Sequence, residues 1–216
     1  MTHPELLSSV RQLYVEARKE KFPIRNVSRC TSHSISSELE DLIAQYCYEL
    51  INDSSVYIFI DPQISFLDLS LKNSTRNRPL QYRPDILIVK NFEVRVVIDV
   101  KTDFGYNRRN YLNLMREKSS LVARIAGQPF SFKNGSREKI KGSFVFSSCL
   151  RLAYIVASNR IAKTLEIDTL AINQMSNVDV FFISSGCHLN SYNNDTNFRI
   201  DEESMRCFDK YLVEVV

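Results

Sequence analysis

The sequence predicts an α/β fold, a mixed sheet flanked by helices, and three observations carry that expectation. Two runs rich in Val and Ile, residues 86–89 and 94–100, are separated by the turn-capable Lys90-Asn91-Phe92-Glu93 and read as adjacent antiparallel strands. Apolar residues at helical spacing lie before them, from Ile35 to Ile51, and after them, from Tyr111 to Ile125. A further apolar run at residues 152–157 reads as another strand, so helix, strand, hairpin, helix and strand follow one another, the order expected when helices cover a sheet.

Taken in order, Pro4 suits a first helical turn, and Leu6, Leu7, Val10, Leu13, Tyr14 and Ala17 keep helical spacing until Pro23 stops the pattern. Leu39, Leu42, Ile43, Tyr46, Cys47 and Leu50 give the second helix a broad apolar stripe behind the Ser-rich residues 32–37. Residues 56–60 form a short strand that Asp61-Pro62 ends with turn chemistry, and residues 69–80 read as a polar loop. The helix after the hairpin carries Tyr111, Leu114, Met115, Lys118, Val122 and Ile125, with Gly127 as its cap. Residues 127–142 read as a basic loop containing Lys133, Arg137, Lys139 and Lys141. A helix from about Arg160 to Met175, a strand at 178–183 and a last helix at 202–216 complete the chain.

The composition is that of an ordinary globular protein, 216 residues with 44% hydrophobic and 25% charged, large enough for one domain spanning residues 1–216. No apolar run approaches the roughly 20 residues of a membrane span, and the first residues lack the basic and apolar regions of a signal peptide, so a cytoplasmic protein without membrane contact is expected. The five cysteines are odd in number and scattered, and the three histidines form no ligand pair, which argues against a disulfide framework and a zinc site. Charge is distributed unevenly. Residues 101–163 hold thirteen Lys or Arg against three Asp or Glu, while residues 164–216 hold three against nine. A basic block of this kind is the electrostatic footprint of a phosphate-backbone binder, and also the composition of a solvated helix face.

The chemistry-bearing residues sit at the open end of the hairpin. Side chains on a strand alternate, so Val94, Val96, Ile98 and Val100 are expected on one face and Arg95, Val97, Asp99 and Lys101 on the other. A hairpin returns Asp85 to Asp99 if the turn has three residues, 91–93, or if the ladder contains a bulge; a plain two-residue turn sets Asp85 opposite Ile98 instead. Two adjacent carboxylates stay ionised together when a cation lies between them. Magnesium suits such a pair, because it takes oxygen ligands, keeps several waters and is usually held by one or two carboxylates. A lysine on the same face can orient the attacking water and offset charge on a phosphoryl transition state.

Pro84-Asp85 followed by Asp99-Val100-Lys101 resembles the motif of the PD-(D/E)XK nucleases. The resemblance implies a restriction-endonuclease-like αβββαβ core over about residues 32–160, a mixed sheet between helices, with the rest as N- and C-terminal elaboration. It implies Mg2+ held by Asp85, Asp99 and the Val100 carbonyl, with Lys101 holding or activating the water. Many members of that family place a glutamate on the first core helix; Glu40 is the first choice here and Glu38 the second, although Ser37-Glu38-Leu39-Glu40 also reads as a helix-capping box. Arg76, Asn77 and Arg78 in the loop before the motif, and Arg108 and Arg109 after it, are candidate DNA contacts. The chain looks most like a type II restriction endonuclease, which implies sequence-specific cutting of double-stranded DNA by a homodimer. Two alternatives are a repair, recombination or viral nuclease of the same core that reads DNA shape, and a catalytically inactive module that binds DNA.

Overall fold

A computed structural model describes residues 1–17, 34–66, 80–102, 110–133, 144–160, 169–186 and 199–216. The first helix, α1 (His3–Glu16), begins at a reciprocal cap: the Glu5 N–H donates to the Thr2 hydroxyl, and the Thr2 N–H donates to the Glu5 carboxylate at 2.7 Å. Pro4 lies in its first turn, where a missing N–H leaves no intrahelical bond unmade. The second helix, α2 (Ser36–Ile51), ends at Asn52 in the left-handed region, φ 46°, which a short polar side chain tolerates. Its start carries no side-chain cap, so the expected capping box is not formed.

Nine strands are described: β1 (Val56–Ile60), β2 (Gln63–Phe66), β3 (Leu80–Tyr82), β4 (Ile86–Lys90), β5 (Glu93–Lys101), β6 (Pro129–Lys133), β7 (Phe144–Arg160), β8 (Val178–Gly186) and β9 (Arg199–Ile200). β1, β4 and β5 run antiparallel side by side; β5, β7 and β8 run parallel; β9 pairs antiparallel with β8. The sheet is therefore mixed. β6 pairs with the start of β7, and β2 and β3 continue from β6 as antiparallel neighbours.

Helices cover both faces. One face carries Ile86, Ile88, Val96, Ile98, Ala153 and Ile155 against α1, α2 and the last helix, α4 (Glu202–Val215), through Leu6, Ile43, Met205 and Phe208. The other carries Leu87, Val89, Val97, Leu152, Tyr154 and Val156 against α3 (Tyr111–Ile125), through Tyr111, Met115 and Val122. Burial from both sides is why β4 and β5 read as nearly unbroken Val and Ile rather than as alternating polar and apolar residues.

The hairpin has a two-residue turn. Asn91 and Phe92 both adopt positive φ, 53° and 64°, the pattern of a type I′ turn whose twist matches its strands. Val89 faces Val94, but Ile88 faces Val96, so Arg95 is the extra residue of a bulge. The bulge reverses the phase of the strand, and Val94 joins the α3 side while Val96, Ile98 and Val100 join the α2 side. This corrects the regular alternation expected from Val94 onward.

Other boundaries also moved. β7 begins at Phe144 and runs through Arg160, where a helix was expected to start; residues 169–172 of that expected helix are helical. Pro129–Lys133 of the expected basic loop is strand β6, pairing with β2 and β7, and β2, β3 and β9 were not anticipated. Four-residue and shorter strands offer too few alternations to be separated from loop by periodicity. Residues 134–143 lie outside the described residues, as do most of 69–80.

Candidate active site

The bulge decides where the acids meet. Ile86 pairs with Ile98, and the same register carried one residue further sets Asp85 across from Asp99. Directly opposed side chains in an antiparallel pair have Cβ atoms about 4.5–5.5 Å apart, so both carboxylates fit around one small cation. Asp85 shares its face with Leu87, and Asp99 with Val97, and both of those apolar neighbours pack on the α3 side.

Each acid has its own lysine. The Lys101 ammonium donates to Asp85 Oδ2 at 2.9 Å and to the Val100 carbonyl at 2.8 Å, while the Val100 N–H donates to the same Asp85 oxygen at 2.6 Å. Asp99 is 3% exposed, and its Oδ2 accepts from the Lys118 ammonium, delivered by α3 from above the sheet. A carboxylate that deep in the protein requires a partner, because an unpaired buried charge is strongly destabilising. Two tyrosines complete the surroundings. Tyr154 stands beside Asp99 on β7, and the Tyr82 ring centroid lies 6.0 Å from Lys118 Nζ. Burial, reinforced by the negative charge of Asp99 and Asp85, pushes both phenols well above their usual range, so both stay protonated.

Glu40 approaches from α2. It is partly buried, and burial together with the charges of Asp85 and Asp61 raises its carboxyl from 4.5 to about 7, against a smaller opposing pull from Lys101. Its field therefore reaches both members of the Asp85–Lys101 pair. Glu38, two residues earlier, is exposed. Asp61 is tied to the site by its backbone, donating its N–H to the Asp85 carbonyl at 2.7 Å, and its side chain forms a two-point pair with the guanidinium of Arg83.

Lys118, Tyr82, Asp61 and Arg83 were not among the expected site residues. Lys118 had a legible signal, a lysine on the apolar stripe of α3 that should otherwise contact the core; the others are placed by pairing between strands. Arg76, Asn77, Arg78, Arg108 and Arg109 lie outside the described residues.

Among the described residues no group of three or more His, Cys, Asp or Glu side chains is arranged to hold a metal ion. The available donor set is two carboxylates and a backbone carbonyl, all oxygen, which fits magnesium completed by water and phosphate oxygens rather than a closed protein cage. Among the described residues no helix is long and apolar enough to cross a membrane. Cys47, Cys149 and Cys207 are unbridged. Compared with known protein families and with curated proteins, the chain matches none.

Proposed function

We propose that the protein is a magnesium-dependent endonuclease that hydrolyses phosphodiester bonds of double-stranded DNA, most similar in kind to a type II restriction enzyme acting as a homodimer. The observation that carries this reading is the bulged register that sets Asp85 opposite Asp99 with Lys101 beside them. The order α2, β1, β4, β5, α3, β7, with β1, β4, β5 and β7 adjacent, supports a PD-(D/E)XK core. The basic composition between residues 101 and 163 supports a polyanionic substrate.

Asp85, Asp99 and the Val100 carbonyl would hold the ion, which supplies Lewis-acid stabilisation of the phosphoryl oxygens and a more acidic bound water. Lys101 holds the attacking water and offsets negative charge as the water adds in line and the ester oxygen leaves. Glu40, whose pKa of about 7 leaves it partly ionised at neutral pH, takes the proton the water releases; the departing oxygen gains a proton from solvent. Tyr82 and Tyr154 stay protonated and add no negative charge beside Asp99 and Asp85.

The test is incubation of the purified chain with plasmid and phage DNA, with magnesium or with chelator, followed by sequencing of the ends. Discrete ends at one short sequence support restriction. A ladder, or preference for branched substrates, favours the shape-reading nuclease instead, and magnesium-independent DNA binding without cutting favours the inactive module. Absence of magnesium-dependent cutting on every substrate overturns the enzyme.

A further inference from the structure

The reading above leaves Lys118 without a role, although it is the residue most directly committed to the site's deepest acid. Asp99 is nearly sealed from solvent, and its Oδ2 is held by Lys118; Asp85 Oδ2 is held by Lys101 and the Val100 N–H. Among the described residues, each carboxylate thus has its Oδ2 fixed by a donor and no donor on its Oδ1. One oxygen from each of two facing acids is the set for a single ion between them. A second ion would have to compete with the two lysines for the carboxylate oxygens they hold.

Charge leads to the same count. With Glu40 ionised, three carboxylates face two ammonium groups, and one divalent ion already brings the site past neutrality. A second would enter a net positive field. Lys118 is itself partly buried, and its departure would strand a buried charge on Asp99.

We infer that Lys118 is a fixed cation standing on Asp99 where a second metal ion would otherwise sit, so that each chain binds a single divalent ion. It acts through Asp99 and is a positioning residue. The inference rests on the metal-site reading, and ion counting separates the two. Mn2+ is titrated into the full chain and free Mn2+ is followed by electron paramagnetic resonance. Wild type is expected to bind one ion per chain and Lys118→Arg one, while Lys118→Met, which keeps the apolar stem and removes the charge, binds two. Two ions on wild type, or one on folded Lys118→Met, overturn the role of Lys118 while leaving a metal site in place. No Mn2+ bound by wild type overturns the metal site and the inference with it. If Lys118→Met does not fold, Lys118→Gln, which also removes the charge, is titrated in the same way: two ions per chain support the role of Lys118, and one ion refutes it.

Discussion

At the scale of single residues, the site is a balance of charges. On the proposed function, Asp85→Asn and Lys101→Ala are each expected to lower the rate of DNA cleavage by about 10²-fold or more, since the first removes an acid that would hold the ion and the second the cation that offsets charge on the phosphoryl group. Plasmid cleavage rates beside circular dichroism of the folded variants measure this. Glu40 yields a stability prediction with a definite sign. Its folded carboxyl binds a proton up to about pH 7, whereas the unfolded group releases it near 4.5, so folding takes up a proton between those values. Stability from this group falls as pH rises through that window, and the penalty is complete above it. Glu40→Gln should therefore stabilise the protein at pH 8, by on the order of 1 kcal/mol once solvent screening of a partly exposed group is allowed for, and have little effect at pH 4.5. Thermal midpoints of the two proteins across that range check it, and equal midpoints at pH 8 refute it. Glu40 was legible as one of two glutamates at the start of a helix; only its burial and the field of Asp85 separated it from Glu38.

At the scale of elements, the hairpin's turn is under local strain. Phe92 adopts φ 64°, a conformation that costs a bulky side chain energy and glycine almost none. Its ring centroid lies 5.7 Å from that of Phe144, but the side chain is 62% exposed, which places that contact at the weak end of aromatic pairs. Phe92→Gly, which makes an Asn-Gly type I′ turn, is expected to raise stability by about 0.5 kcal/mol with cleavage unchanged. Denaturant melts decide it; a loss of stability would show that the contact with Phe144 outweighs the strain. The same turn explains a partial misreading of β5. Either a three-residue turn or a bulge could bring Asp85 to Asp99, and local sequence carries no term that chooses between them. The choice depends on β7, whose own ladder against β5 is irregular between Val94 and Val96, at the same place as the Arg95 bulge.

At the scale of the whole molecule, distant segments are joined by charged groups on the α2 side. His3 on α1 bonds Glu202 at 3.0 Å and Asp209 at 2.7 Å on α4, and Asp209 also accepts from the Tyr46 hydroxyl on α2. Burial lowers the His3 pKa, but the two carboxylates outweigh it and raise the value above 6.5. The stabilisation is fully present below that pH and is lost as pH rises through the raised value. Wild type should therefore exceed His3→Gln in thermal midpoint at pH 6, with the difference shrinking by pH 9; a constant difference would assign the effect to packing. The sequence by itself determined the α/β class, the hairpin, the principal helices and the gathering of Asp85, Asp99 and Lys101 at the hairpin's open end, because periodicity, turn chemistry and charge at a strand end are local properties. Tertiary structure alone decided that Arg95 bulges, that Val94 turns to the α3 side, that Pro129–Lys133 is a strand and that Lys118 pairs with Asp99. Each of these depends on contacts between segments far apart in the chain, and the energy that selects them is absent from any single stretch of sequence.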